Sequence, residues 1–131
     1  MDVRFKRVED VLRWGTCDVW DGNYGEPQYL HPEAMGWVLQ EWREDLNGDE
    51  FLQIRADMRS GGWDVRYPAR YAIIENVPVL MDGHHRLALA VELGLESIPV
   101  ALLEPSHDRV RRVASILRAW RGDLTRLDPT V

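Results

Sequence analysis

Five consecutive residues, Asp82-Gly83-His84-His85-Arg86, concentrate the chemistry of this chain. A carboxylate, a glycine, two imidazoles and a guanidinium follow the apolar stretch 77–81 and precede the helix-like run 87–93. That order predicts a strand, a sharp turn and the start of a helix. The first amides of a helix have no intrahelical acceptor and lie at the positive end of its dipole, so such a turn suits an anion. Gly83 lets the backbone bend and approach a phosphate with no Cβ in the way. Arg86 can neutralise phosphate oxygens in bidentate fashion. A plainer reading stands beside this one: Asp-Gly is a common turn dipeptide, histidines at a helix start can simply be solvated, and Arg86 can serve an internal ion pair.

Phosphoryl chemistry needs charge neutralisation, in-line geometry and a base for the nucleophile. Asp82, at the end of a strand, could accept a proton or hold Mg²⁺ through water. His84 and His85 are adjacent, so on a helix they point in different directions; one could meet phosphates and the other the acceptor. With an ordinary pKa of ~6.5, either could act as acid or base near neutrality. The remaining histidines, His31 and His107, complete no i, i+4 pair with them, so structural zinc is not expected.

The chain has 131 residues, 45% hydrophobic and 29% charged, which fits one globular α+β domain over 1–131. No apolar run reaches the ~20 residues that span a bilayer, and no membrane contact is expected. One cysteine, Cys17, rules out a disulfide framework within the chain, and the charged N-terminus does not resemble a secretory signal. The cytoplasm is the default compartment. A net charge of −6 argues against a protein whose main task is gripping nucleic acid. Residues 1–50 carry 5 basic and 12 acidic side chains, whereas residues 104–131 carry 6 and 4. Any polyanion contact therefore falls in the second half, so DNA is a conceivable partner but not the favoured one.

The elements that must position the motif follow from periodicity. A short strand and a helical turn begun at Glu9-Asp10 open the chain, and residues 15–28 read as a long loop: a lid, a partner-binding segment or an irregular loop packed by its own aromatics. Pro32 starts a helix reaching Leu46, with Met35, Leu39, Trp42 and Leu46 as its apolar stripe and Trp37 off it as a candidate contact. A second helix covers 49–60, with Phe51, Ile54 and Met58 on one face. Residues 63–67 and 70–75 read as strands, and Asn76-Val77-Pro78 as a turn into 79–81. The helix after the motif presents Leu87, Ala90 and Val91 and stops at Gly94. Residues 97–103 form a strand in which Pro99 suggests an edge or a strand start. Ser106 caps a last helix to Arg121, whose arginines 109, 111, 112, 118 and 121 surround an apolar stripe. That face is solvated, or it contacts phosphate or a protein partner.

Ser60-Gly61-Gly62 ending a helix, a hairpin, Asp82-Gly83-His84-His85-Arg86, Leu93-Gly94-Leu95 and Ile98-Pro99-Val100 occur in an order that resembles the ParB/sulfiredoxin superfamily. The likeness covers a core of residues 50–103, with 104–131 as an added C-terminal helix. It implies a small mixed sheet with packed helices and a nucleotide bound with Mg²⁺, CTP in chromosome-segregation proteins and ATP in sulfiredoxin and a free serine kinase. On that likeness Gly83 and the amides of His84 and His85 meet phosphates, and Arg86 is the charged clamp. His84 stands where sulfiredoxins carry their cysteine, which argues against sulfinic-acid reduction. The Asp-Gly-His-His-Arg form is similar to the serine-kinase branch and to phage or plasmid proteins described as ParB-like nucleases. The kinase likeness also implies Glu33 as a base. The expected function is NTP hydrolysis or phosphate transfer to a small acceptor; a nuclease or DNA-associated accessory protein, and a non-catalytic interaction module, are the alternatives.

Overall fold

Three strands with residues buried on both faces build the centre of the molecule. The structure, a computed structural model, describes residues 2–17, 34–45, 48–74 and 76–119. Its elements in chain order are β1 (Val3–Arg7), α1 (Val8–Val11), β2 (Gly15–Thr16), α2 (Ala34–Asp45), α3 (Asp49–Gly61), β3 (Ala69–Ile74), β4 (Val77–Asp82), α4 (His84–Leu93), β5 (Ser97–Leu102) and α5 (Asp108–Ala119). Among the described residues they form an α+β fold around a mixed five-stranded sheet of order β1-β5-β3-β4-β2. The β3–β4 and β1–β5 pairs are antiparallel, and the β3–β5 and β2–β4 pairs are parallel.

Side chains of successive strand residues leave opposite faces, so the sheet carries two cores. Ala69, Leu80, Ile98 and Val100 pack on one face with Leu87, Leu89, Met35, Leu39, Phe51 and Met58 of the helices. Ala72, Ile74, Val79 and Met81 face the other way, toward Val110 and Val113 of α5 and Val38 of α2. The helix after the motif is buried more completely than its one-sided stripe suggests: Leu87, Ala88, Leu89 and Ala90 are all inaccessible. Helices α1, α2 and α3 pack around it while it lies over the sheet. Truncating Leu87 or Leu89 to alanine would therefore cost roughly 2–5 kcal/mol.

Five local expectations change. Residues 63–67 are not a strand: Asp64 accepts the Arg66 amide at 2.9 Å and Tyr67 N–H donates to the Asp64 carbonyl at 3.0 Å, which closes a turn. Gly15–Thr16, expected in a loop, is strand β2, aligned with Val79 and Leu80 of β4. Val77 and Pro78 already belong to β4, and Asn76, at φ 67°, makes the reversal. The cap of α5 is His107 rather than Ser106, because its Nδ1 accepts the Arg109 amide at 3.2 Å and its carbonyl accepts the Arg111 amide. Pro99 lies within a strand paired on both sides, but pairing with β3 begins only at Val100, one residue later. No described helix is long and apolar enough to cross a membrane. Glu33, His31, Pro32, Leu46 and residues 18–28 and 120–131 lie outside the described residues, as does the side chain of Trp37.

Candidate functional site

Strand β4 ends in the carboxylate of Asp82, and the chain turns into α4 through Gly83 at φ 101°. A Cβ at Gly83 would stand 3.1 Å from Cβ and 3.2 Å from Cα of Ala69, and 3.5 Å from the Trp63 ring. The missing side chain thus admits the first residue of β3, a reason for glycine that is internal to the fold. The Gly83 N–H donates to Asp82 Oδ1 at 3.0 Å, so this amide is engaged by the protein itself. The Gly83 carbonyl accepts the Leu87 amide at 2.8 Å and starts the helical ladder.

The two histidines diverge as their adjacency demands. His84 is buried, and its Nε2 is hydrogen-bonded to the hydroxyl of Thr16, itself inaccessible, at 2.7 Å. His85 is half-buried, edge-on to Trp42 with centroids 3.8 Å apart and stacked on Phe51 at 4.6 Å. Arg86 sits with its guanidinium 5.6 Å from the centroid of Tyr67. Among the described residues it forms no salt bridge.

These side chains line a cleft of about 340 Å³, at the small end of the range for ligand pockets. All five motif residues border it; Trp42, Phe51 and Ile54 give it an apolar side. Arg109 also reaches it from the first turn of α5, held by a 2.8 Å hydrogen bond from Nη2 to the Met81 carbonyl. Sequence reasoning had placed Arg109 on a basic helix face without connecting it to the motif. No local pattern distinguishes it from Arg111 or Arg112; only the packing of α5 beside the end of β4 does.

The cleft thus holds two guanidiniums from separate elements, one exposed carboxylate and the N-terminal end of a ten-residue helix. No group of three His, Cys, Asp or Glu side chains placed to hold a metal occurs among the described residues. Beside the cleft, Asp64 is clasped by Arg66 through Nε at 3.1 Å and Nη2 at 2.7 Å. The Arg66 side-chain hydrogen bonds first, then its backbone N–H, hold the Asp64 carboxyl down at about 2. Comparison with protein-family models, curated proteins and solved structures finds no match to this chain.

Proposed function

We propose that the cleft at the start of α4 takes the phosphates of a nucleotide and that the domain performs phosphoryl chemistry there, either hydrolysis or transfer to a small acceptor. One observation carries the reading: Arg86 and Arg109 border the same cleft from different elements, and neither forms an ion pair among the described residues. Two unneutralised guanidiniums beside a helix N-terminus favour an anionic ligand over a neutral one. The order of helix, strands, Asp-Gly-His-His-Arg turn, helix and strand supports the same reading through its resemblance to the ParB/sulfiredoxin superfamily, and with it a ParB/sulfiredoxin-like fold.

In this proposal Arg86 and Arg109 neutralise phosphate oxygens. Asp82, exposed at the rim, is the carboxylate with access to an incoming hydroxyl or water and can accept its proton. His84 and His85, fixed by Thr16 and by Trp42 and Phe51, shape the floor of the cleft. Alternatively Asp82 would hold the Mg²⁺ that accompanies ATP or CTP, since one carboxylate plus phosphate oxygens is a usual set for that ion, which would supply further charge neutralisation. The cytoplasm, where nucleotides abound, is the proposed compartment.

Isothermal calorimetry with ATP and with CTP, each with Mg²⁺, tests the proposal. The expected result is saturable binding of at least one nucleotide, weakened in both Arg86→Ala and Arg109→Ala. Absence of heat at millimolar nucleotide overturns it. Phosphate release from the bound nucleotide separates a hydrolase or transferase from a plain binder.

A further inference from the structure

Of the two proposed phosphate ligands, Arg109 is tethered to the Met81 carbonyl, whereas the Arg86 head group has no hydrogen bond or salt bridge among the described residues, so something else must hold it for the cleft to be ready. We propose that Tyr67 is the positioning residue for Arg86, presenting its ring face to the guanidinium and leaving the N–H groups for an anion. This inference rests on the phosphate reading of the cleft.

Tyr67 is 56% exposed, too open to be explained as core. Its backbone is nevertheless fixed: its N–H donates to the Asp64 carbonyl at 3.0 Å and its carbonyl accepts the indole N–H of buried Trp63 at 2.7 Å. Trp63 in turn packs beside the Gly83 turn, so the ring and the arginine are anchored to a common point. The Arg86 guanidinium lies 5.6 Å from the ring centroid, within cation–π range.

A second cation competes for the same ring, since Arg66 lies 5.7 Å from its centroid. Arg66 is already neutralised by Asp64, whose two oxygens accept its Nε and Nη2. Asp64 therefore removes Arg66 from the competition for an anion, and Arg86 is left as the cation with unspent charge over Tyr67. A guanidinium lying flat on a ring keeps its edge N–H groups outward, and in that arrangement Tyr67 orients Arg86 without consuming the donors a phosphate needs.

The test uses the full chain with Tyr67→Ala and Tyr67→Phe and two readouts. The first is the affinity for inorganic pyrophosphate and for ATP with Mg²⁺. The second is the NMR signal of the Arg86 side-chain N–H, assigned by its loss in Arg86→Lys. The expected result is a ring-shifted Arg86 signal in the native chain, lost in Tyr67→Ala together with a roughly three- to tenfold weaker affinity, and both restored in Tyr67→Phe. Native-like binding and an unmoved Arg86 signal in Tyr67→Ala overturn the positioning role while leaving the phosphate reading intact. Failure of the native chain to bind either probe overturns that reading and this inference with it.

Discussion

The turn at residues 63–67 and the turn at residues 82–86 abut through Trp63 and Gly83, and each carries one aspartate and one later arginine. In the first, the arginine follows by two residues, and the Asp64 carboxylate accepts the Arg66 amide, Nε and Nη2 together. In the second, the arginine follows by four. Asp82 spends its hydrogen bond on the next amide, that of Gly83, while Arg86 extends from α4 over Tyr67. The residue types are the same, and the spacing decides whether a positive charge is paired locally or extends away from its own turn's carboxylate. One turn is a closed clasp that builds a platform; the other is an open site that rests on it.

The comparison breaks most severely at Gly83. Alanine there must hold a φ of 101° and push its Cβ to about 3 Å from the backbone of β3. Gly94, at the other end of α4, has φ 70° with nothing within 4 Å of an added Cβ. Gly83→Ala is expected to lose roughly 2–4 kcal/mol of stability in urea denaturation, and Gly94→Ala ~1 kcal/mol. Equal losses would mean that the open turn is not held by its packing on Ala69.

Next in size is the contrast between the two arginines. Removing an uncompensated guanidinium from a phosphate forfeits a charge-assisted hydrogen bond worth about 1.5–3 kcal/mol. Arg86→Ala is therefore expected to weaken ATP or pyrophosphate binding tenfold or more with little change in melting temperature. Arg66→Ala is expected to change binding about twofold at most, because its charge is already cancelled and exposed pairs contribute little. A tenfold loss in both variants would show that the ligand engages the clasp directly.

How much of this was legible in the sequence depends on whether the cause was local. Helix α3, the β3–β4 hairpin and α4 follow from periodicity and from glycines that stop helices; α3 and β3 emerge within a residue of their expected bounds, whereas β4 and α4 begin earlier, at Val77 and His84. Residues 63–67 misled because Trp63, Val65 and Tyr67 alternate like a strand, yet Val65 and Tyr67 are half exposed. A side chain competing for backbone N–H groups won over the pattern. Strand β2 was invisible because two residues carry no period; its pairing sets Gly15 and Thr16 against Val79 and Leu80 of β4, and the Thr16–His84 bond joins residues 68 positions apart. Arg109 belongs to the same class, since its place in the cleft depends on a carbonyl 28 residues earlier.

The finest discrimination between the two turns is the titration of Asp64. Its carboxyl is lowered from 3.8 to about 2, chiefly by hydrogen bonds from Arg66 and only lastly by the charge of Arg86. A depressed folded value means that the contribution of this pair is fully present above the unfolded pKa of 3.8 and is lost as pH falls through about 2. Between pH 4 and pH 7 the clasp is therefore constant, and it adds no pH dependence to ligand binding in that window. The Asp64 side-chain carbon, followed by NMR in acid, is expected to titrate near 2 in the native chain. In Arg66→Ala it should move part of the way back toward 3.8, because the side-chain hydrogen bonds, the largest cause of the shift, are gone while the backbone N–H of residue 66 still donates to the carboxylate. Salt should screen what Arg86 still contributes. If the midpoint stays near 2 without the Arg66 side chain and rises with added salt, the carboxylate is held by the charge of Arg86 instead. The second arginine would then be paired, and the distinction between a closed and an open turn would fail at its source.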